Sequence, residues 1–421
     1  MFPLSSSARS GLSLASACFI MTSIGSGYAI SAWNAQLKAH LGMDQRQIAT
    51  VSSSLSFGLY WAIIPGFFFD RYGVRRTIVV GTILLPLLYA CLSGLTAAKA
   101  APMLLAVMLG FIGLSSQFAG IVCLGANEGL YGERNRGKVL GLLLSCFSAG
   151  GAVFSFVYKT FFNDHVAEYF SFMSLEGLIV CGLGVIFLAN KAKDEHEYDA
   201  LPDAHGHAVD NITGWALTKD SRFWHLFIAV LVGVGTGLFV MANLAFIYES
   251  AGGTADRVAP YVSLFSIGNL CGRLIVGYLS DKYLRVLPRA AFLAIGIAMT
   301  IVSEVLFLVT PVGWFVVPVA LGGVAEGFLF PTYTVLTREL FGSRYFGENF
   351  GAITLANAIG FPLVLGPLAS HLYHRQATHN PLTGADQCIG SSCFLGIFTI
   401  AMGLNCVGIY CAYQLVKAAR R

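Results

Sequence analysis

Long apolar runs recur along almost the whole of this sequence. Each has about 20 residues with few or no charges, the length that a helix needs to cross about 30 Å of hydrocarbon. Lipid accommodates only helices and closed barrels, and these runs are too long and continuous for barrel strands. The sequence therefore predicts an all-α membrane protein with twelve transmembrane helices, at residues 11–33, 47–69, 77–96, 102–127, 138–160, 169–190, 223–249, 258–280, 289–310, 312–337, 347–373 and 392–417.

The composition excludes several other classes of protein. Only 11% of the residues are charged, whereas a soluble domain needs about 25% to cover its surface. The net charge of +4 is too modest to indicate a nucleic-acid partner. The spans carry no motif for a zinc protease, a serine hydrolase or a phosphate-binding loop, so we expect no enzyme and no cofactor or metal. A channel would need rings of like residues in an oligomer, which this single chain does not indicate. A membrane receptor that has the same fold but transports nothing is an alternative that the composition does not exclude.

The placement of cations predicts the orientation of the chain. With the N-terminus in the cytoplasm, 19 of the 26 Lys and Arg lie in cytoplasmic segments and six lie outside. Cytoplasmic loops carry the excess of positive charge in membrane proteins. We therefore expect both termini in the cytoplasm, and the plasma membrane as the site of residence. The remaining cation is Arg273, which lies within the eighth span.

The longest polar stretch separates two sets of six spans. It predicts an N-terminal half at 1–190, a cytoplasmic linker at 191–221 and a C-terminal half at 222–421. The histidines of the linker could bind a metal ion, but their spacing favours a solvated loop: His196, His205 and His207. In the last loop, Cys388 and Cys393 are candidates for a disulfide if that loop is extracellular.

A short charged motif occurs twice, each time after the second span of a half. The copies begin at Gly66 and Gly277, 211 positions apart. A carboxylate at the end of a span can bind a neighbouring helix terminus and pair with basic side chains. Positive-inside anchoring would explain the cations, but neither the aspartates nor the recurrence. The motif predicts a contact that closes the cytoplasmic face during transport, formed by Gly66, Asp70, Arg71, Gly73, Arg75 and Arg76 in the first copy and by Gly277, Asp281 and Lys282 in the second.

This motif resembles the signature loop of the major facilitator superfamily, in which two six-helix halves alternate access to a central site. The second copy departs from the pattern, with Leu284 where the first has Gly73. The stretches 27–42, 269–281 and 339–347, and the late Cys-Ile-Gly-Ser-Ser-Cys sequence, are similar to the branch of oxalate/formate antiporters, nodulin-like proteins and monocarboxylate carriers. The resemblance implies a monomeric carrier of a small solute in the lipid membrane.

Arg273 is the leading candidate for substrate binding. It lies eight residues before Asp281, so about 12 Å from the end of the span at 1.5 Å per residue. An intramembrane guanidinium should face the bundle interior, and its planar fork suits a carboxylate. In the antiporters that the chain resembles, the matching arginine binds substrate carboxylate. The alternatives are a permanent ion pair with a membrane glutamate, or an extended side chain that reaches the cytoplasmic face.

The resemblance also bears on substrate charge. The related antiporters carry a lysine in the eleventh span for a second carboxylate, and the matching position here is Asn357. A single intramembrane cation favours a monoanion such as pyruvate or lactate. An oxalate-type antiporter, or a carrier of another solute or of a metal chelate, is the alternative.

Other polar residues in the spans complete the candidate site. Tyr28 matches a tyrosine of the resembled site, and Tyr333, Asn243 and Asn357 could donate to substrate or join helices. Glu326 lies near the middle of its span. We expect it either to carry a coupling proton or to pair with Arg273.

Overall fold

The computed structural model describes residues 6–128, 130–131, 133–163, 165–188, 211–254, 257–376, 378–379, 386–390 and 392–419. The first seven helices are α1 Ser6–Ile24, α2 Ile30–Leu41, α3 Gln45–Tyr60, α4 Ile63–Ala97, α5 Pro102–Glu128, α6 Arg136–Val157 and α7 Val166–Phe187. Short 3-10 or π turns follow α1, α5 and α6. Most of the predicted linker, residues 191–210, lies outside the described residues.

The rest of the chain begins with a short helix and is otherwise built from long ones. Its helices are α8 Gly214–Lys219, α9 Ser221–Ser250, α10 Val258–Lys282, α11 Arg289–Val309, α12 Val316–Phe341, α13 Phe346–Ile359, α14 Gly366–Gln376 and α15 Ser392–Ala418. A π turn at Gly360–Leu365 joins α13 to α14. Two short strands, β1 Thr378–His379 and β2 Asp386–Gln387, pair antiparallel before α15.

The described chain has eleven helical segments that are long and apolar enough to cross a membrane. One of them, Arg46–Ala97, has 52 residues, which amounts to about 78 Å at 1.5 Å per residue and exceeds two membrane thicknesses. Gly73 interrupts it with a φ of 76°. The segment thus holds the predicted spans 47–69 and 77–96, and the fold has the predicted twelve crossings.

The predicted span boundaries at the tenth crossing differ from the structure by four residues at each end. The sequence predicts 312–337, whereas α12 runs from Val316 to Phe341. A 3-10 turn at Val312–Trp314 follows Pro311, so the α-helix starts late. At the other end the helix continues through Arg338, which pairs with Glu128, and Glu339, which pairs with Arg136. Ion pairing lets the helix extend beyond its apolar run.

The chain forms two compact units. The first comprises Met1–Thr213 and Thr337–Leu355, and the second Gly214–Leu336 and Ala356–Arg421. In the first unit, α1 packs against α5, α6 and α7, while α4 packs against α5 and α7. The end of α12 and most of α13 belong to this unit. The predicted division at 190 and 221 stays a prediction.

The second unit is organised around α9. This helix packs against α10, α11 and α15, and α15 also packs against α11 and α14. Phe239, Phe265, Phe315 and Phe398 are buried among these helices. A disulfide joins Cys388 to Cys393 just before and within the first turn of α15.

Acidic caps fix the start of two helices. The Asp44 carboxylate accepts from the Gln47 N–H at 2.7 Å, and the Gln47 side chain accepts from the Asp44 N–H, so the pair forms a capping box before α3. Asp220 caps α9 and pairs with Arg222 at 2.6 Å. Burial raises the pKa of Asp220, but the hydrogen bonds and charge of Arg222 outweigh it, so the pKa lies below its usual value.

Candidate functional site

Arg273 is a fully buried cation on α10. Its side chain is among the largest that are less than 2% exposed. Nε donates to Asn269 Oδ1 at 2.7 Å, and Cζ lies 4.5 Å from the centroid of the Phe330 ring. The amide and the ring hold the guanidinium in place by a hydrogen bond and a cation–π contact. Arg273 is therefore ordered within the second unit and does not extend to its surface.

Glycines bring the neighbouring helix close to Arg273. A Cβ added to Gly327 of α12 would lie 2.9 Å from the Gly272 Cα, so the backbones of α10 and α12 are nearly in contact. Small residues allow this approach in membrane helices. As a result, Glu326 and Phe330 of α12 lie beside the arginine.

Glu326 is a buried carboxyl next to this cation. The Asn269 amide hydrogen-bonds to it, and Arg273 interacts with it electrostatically. On its other side is α9, where a Cβ on Gly237 would lie 2.8 Å from Glu326 Cγ. Asn269 thus bridges the two charged residues. Its Oδ1 accepts a hydrogen bond from Arg273, and its side chain also hydrogen-bonds to Glu326. We call Arg273, Asn269, Glu326 and Phe330 the Arg273 cluster.

Two further candidates form a pair within the second unit. Asn357 Nδ2 donates to the Tyr333 hydroxyl at 3.3 Å, and both side chains are buried. Asn357 Oδ1 has no hydrogen-bond partner in the part of the chain that the structure describes. A buried acceptor without a donor is costly, so this amide can receive a hydrogen bond from a further group.

The remaining two candidates have local contacts. Asn243 Nδ2 donates to the Phe239 carbonyl one turn earlier on α9 at 2.9 Å. Tyr28 belongs to the first unit, in the 3-10 turn Gly25–Ala29, and its ring lies 5.2 Å edge-on from that of Phe147. These contacts assign neither residue a role in binding.

The first copy of the repeated motif holds the start of α13. Asp70 Oδ1 accepts from the Gly347 N–H at 3.1 Å, and Oδ2 accepts from the Glu348 N–H at 2.7 Å. These are first-turn amides that have no partner within their own helix. The carboxylate also faces the positive end of the helix dipole. Asp70 therefore caps a helix that begins 276 positions later in the chain.

Gly66 makes this contact possible. A Cβ at Gly66 would overlap the backbone of Gly347, and a Cβ at Gly347 would lie 2.6 Å from the Gly66 carbonyl oxygen. The two backbones touch, which brings Asp70, one turn later on α4, within reach of the α13 amides. We call Gly66, Asp70 and the first turn of α13 the gate contact.

Buried ion pairs reinforce the first unit beside the gate contact. Glu128 at the end of α5 pairs with Arg338 of α12 and lies 3.6 Å from Arg136 of α6. Arg136 also lies 4.0 Å from Glu339. Charges removed from water in this way need such partners.

The other members of the first copy have distinct environments. Gly73 has a φ of 76° and a ψ of −177°, a backbone conformation that is essentially restricted to glycine. Arg71, Arg75 and Arg76 are exposed. Arg75 and Arg76, with Phe68 and Tyr72, line a cavity on the surface of α4.

The second copy of the motif makes a local contact. Asp281 at the end of α10 pairs with Arg289 at the start of α11, with a 2.6 Å distance from Arg289 Nη2 to Asp281 Oδ1. Both side chains are at most 1% exposed. Lys282 lies over the rings of Tyr278 and Tyr283. This copy, which begins at Gly277, thus joins two consecutive helices.

Comparison with known families agrees with this architecture. Residues 15–367 match the model of the Major Facilitator Superfamily. The chain belongs to the major facilitator superfamily. It is therefore an integral membrane protein of a transporter family whose members move small molecules.

Relatives support the same assignment. The chain is 27% identical over 344 residues to the "Uncharacterized MFS-type transporter YhjX" of Escherichia coli (strain K12), covering 80% of this chain and 82% of the relative. It is 27% identical over 210 residues to "Protein NUCLEAR FUSION DEFECTIVE 4" of Arabidopsis thaliana, covering 46% and 34%. The crystal structure of the superfamily transporter FucP in the outward conformation is similar, with a TM-score of 0.69 at 15% identity over 96% of this chain and 98% of that one. That last likeness concerns the fold.

Several side-chain contacts of this superfamily member were not predicted from the sequence. The bond of Asn269 to Arg273 could have been, because Asn269 lies four residues earlier, a helical spacing that puts the two on one face. Phe330 and Arg338 gave no comparable signal, because nothing in their local sequence identifies a partner on another helix. The same holds for the pairing of Asp281 with Arg289.

Proposed function

We propose that this protein is a secondary active carrier of a small monocarboxylate, such as pyruvate or lactate, that works by alternating access. The observation that carries the proposal is the buried guanidinium of Arg273. The described chain has four buried arginines, and three of them form ion pairs with Asp or Glu near helix ends: Arg136, Arg289 and Arg338. Arg273 is the one of the four that lies midway along a span, where Asn269, the Phe330 ring and the charge of Glu326 surround its guanidinium.

This environment suits recognition of a carboxylate. A guanidinium can donate two parallel hydrogen bonds to a carboxylate, and Nε of Arg273 is already fixed by Asn269. The terminal nitrogens then keep a defined orientation, which lowers the entropy cost of binding. The resemblance to the oxalate/formate, nodulin-like and monocarboxylate branch supports the same class of cargo.

The charge balance favours a monoanion. The antiporters that the chain resembles carry a lysine in the eleventh span for a second carboxylate. The matching residue here is Asn357, a neutral amide bonded to Tyr333. One bound carboxylate would neutralise Arg273, whereas a second carboxylate would meet only dipoles. An unpaired charge in a site of low dielectric is costly.

Glu326 supplies a way to couple transport to protons. When it is ionised, it competes with substrate for Arg273, and when it is protonated, it leaves the guanidinium to the substrate. Substrate and proton would then bind together, as symport requires. The shared partner Asn269 makes the two events interdependent.

The gate contact belongs to the same proposed cycle. The hydrogen bonds that Asp70 accepts hold the first turn of α13 in one of the two access states. The change to the other access state would break them. The contact would therefore set the balance between states and leave substrate affinity unchanged. We infer a monomeric carrier in the plasma membrane with both termini in the cytoplasm.

Uptake into proteoliposomes tests the proposal. Purified protein would be assayed with labelled pyruvate, lactate, oxalate and formate, with and without a pH gradient. We expect uptake of pyruvate or lactate that is stimulated by an inward proton gradient. Uptake of oxalate alone would mean that the cargo is a dicarboxylate. Uptake that does not depend on the pH gradient would mean that Glu326 does not couple transport to protons. No uptake of any of the four would contradict the proposed function.

Replacement of Arg273 by lysine tests the site directly. A point charge does not reproduce a bidentate fork, so we expect Arg273→Lys to fold and to lose most of its uptake. Arg257→Lys, at an exposed position before α10, is the matched control. Uptake by Arg273→Lys within about twofold of wild type would exclude Arg273 from the site.

A second substitution tests the charge argument. Asn357→Lys would add a second cation next to Tyr333, and we expect it to shift the preference from pyruvate towards oxalate. The measurement is the ratio of uptake rates for the two substrates, with Asn243→Lys on α9 as the control. An unchanged ratio in Asn357→Lys would refute the argument from charge balance.

A further inference from the structure

The second unit holds another buried acid, away from the Arg273 cluster. Glu304 of α11 is 0% exposed, as are Thr236 of α9 and Asn405 of α15. Asn405 Nδ2 donates to Thr236 Oγ1 at 3.1 Å and to Glu304 Oε2 at 3.4 Å. Three helices thus contribute one polar side chain each to a site surrounded by apolar packing. We call these residues the Glu304 triad.

Two oxygens of the triad lack donors. Glu304 Oε1 and Asn405 Oδ1 have no hydrogen-bond partner among the described residues. If the Asn405 amide is turned by 180°, its oxygen faces Glu304, and the acid itself must then donate. In both orientations a proton on the carboxyl cancels the buried charge, and in the turned one it also supplies the donor that the amide oxygen needs.

No cation compensates Glu304 within the described chain. Its only polar contact is with Asn405. The charged groups on the neighbouring helices are engaged elsewhere: Arg222 with Asp220, Arg273 with Asn269 and Glu326, and Arg289 with Asp281. The remaining titratable groups on these helices do not bond to it: His225, Tyr248 and Glu249 on α9, Tyr261, Cys271, Tyr278 and Lys282 on α10, Tyr333, Arg338 and Glu339 on α12, and Cys406, Tyr410, Cys411, Tyr413 and Lys417 on α15. An ionised Glu304 would be an uncompensated charge in the membrane.

The donor geometry favours a proton over a metal cation. The Asn405 Nδ2 group points at both Thr236 Oγ1 and Glu304 Oε2. With the amide in this orientation, a sodium ion bound between these oxygens would meet N–H hydrogens, which repel it. A proton needs only one carboxyl oxygen and leaves both amide bonds in place.

A cavity lies at the disulfide end of the unit, beside the helix that carries Glu304. It has a volume of about 260 Å³ and is lined by residues that include Ile247, Phe307, Ile389 and Phe398. Ile389, between the two disulfide cysteines, is 77% exposed. The stacked rings of Phe307 and Phe398 lie 5.9 Å apart. Phe307 follows Glu304 by three residues, so the cavity wall comes within about one helical turn of the acid along α11.

The corresponding junction in the first unit is also polar. Ser23 of α1 donates to Glu176 of α7 at 2.7 Å. Ser23 and Thr236 are 213 positions apart, close to the 211 that separate Asp70 from Asp281. Each half of the chain thus places one acid at the junction of its first and sixth spans. The two junctions differ in which helix carries the acid.

From this geometry we propose that Glu304, Asn405 and Thr236 form an exchangeable proton-binding site, loaded through the cavity beside Phe307 and Phe398. The site is distinct from the proposed coupling acid Glu326. Its ligand is a proton on the carboxyl, held between the Asn405 amide and the surrounding apolar side chains. No substrate is needed for the proton to bind.

Infrared spectroscopy of the full chain in lipid nanodiscs tests this site without substrate. The probe is the carbonyl band of protonated carboxylic acids, recorded against pH and after transfer to heavy water. A Glu176→Gln, Glu326→Gln background removes overlap with the other buried acids. We expect Glu304→Gln to abolish one band that titrates and shifts in heavy water, and the control Glu249→Gln, at a half-buried position near the end of α9, to retain it. Glu304→Asp, which keeps an acid, should move the band without abolishing it.

The route of loading has its own variant. Phe307→Ala should speed deuteration of the Glu304 band by tenfold or more. Phe292→Ala, a buried phenylalanine near the other end of α11, should leave the rate unchanged. If no band is lost in Glu304→Gln, the acid is ionised and the site is refuted. A band that neither titrates nor exchanges in heavy water refutes it too, and equal rates in the two phenylalanine variants refute the route. None of these outcomes bears on carboxylate transport.

Discussion

The two copies of the repeated motif place the same residue in opposite roles. Asp70 in the first copy caps α13 through two backbone amides, in a partly buried contact across 277 positions of chain. Asp281 in the second copy pairs with Arg289 only eight residues later, with both side chains fully buried. One contact joins distant segments and the other closes a single turn between neighbours.

Burial and partner type together explain what each copy does. A contact from a carboxylate to helix amides can form and break at modest cost, since water replaces either partner. A buried ion pair between consecutive helices cannot open without exposing two charges to lipid or apolar packing. The first copy is therefore suited to movement, and the second to a permanent connection between α10 and α11.

The sharpest test of this contrast is the loss of the buried carboxylate. Asp281→Asn leaves Arg289 as an uncompensated buried charge, so we expect it to destabilise the fold by about 3–5 kcal/mol. The measurement is the thermal unfolding of purified protein in detergent. The double variant Asp281→Asn, Arg289→Gln is the control and should recover part of the loss. A single variant as stable as wild type would place the second copy in the same class as the first.

A smaller effect is expected from the backbone of the first copy. Gly73 has a conformation that costs other residues about 1–3 kcal/mol, and no side chain or backbone atom lies within 4 Å of an added Cβ. Gly73→Ala should therefore destabilise the protein by about 2 kcal/mol through the backbone alone. Leu284, at the matching position, has no positive φ, so Leu284→Gly should cost less than half as much. If Gly73→Ala and Leu284→Gly lower the free energy of unfolding equally, the two copies do not differ in backbone strain at this position.

The smallest change in stability is expected at the gate contact, where the readout is kinetic. Asp70→Asn keeps one acceptor but loses the charge and one amide bond, about 1 kcal/mol, which shifts a two-state equilibrium roughly fivefold. We expect the maximal rate of uptake to fall and the half-saturating substrate concentration to change little. Glu348→Gln, whose backbone N–H remains, serves as the control. A pure loss of affinity with an intact maximal rate would show that the contact is not a gate.

The sequence predicted the parts of the fold that depend on local chemistry. Apolar runs located all twelve crossings, since burial in lipid imposes length and composition on each span separately. The breaks at Pro311 and Gly73 follow from the residues themselves. The end of α12 did not, because Arg338 and Glu339 are tolerated there only through ion pairs with Glu128 and Arg136.

The candidate site was less accessible to such reasoning. Arg273 stood out because one cation in an apolar run is costly wherever it packs. Its contact with Glu326 was one of the two expectations for that acid. The contact with Phe330 was not predicted, because it depends on the close approach of α10 and α12 at Gly272 and Gly327, for which a single sequence carries no signal. The same limit applies to Asp70, whose role is set by α13.

The bond between Cys388 and Cys393 has a consequence for the sidedness of the protein. Disulfides persist in oxidising compartments and are reduced in the cytosol, so the bond predicts that the loop before α15 faces away from the cytosol. Because α15 is long enough to cross the membrane after that loop, we expect its other end, at Ala418, to lie on the cytosolic side. Thiol labelling in intact cells can read this directly: a membrane-impermeant maleimide should tag both cysteines only after an impermeant phosphine has been added. That experiment would fix the orientation of the chain without reference to the distribution of its arginines and lysines.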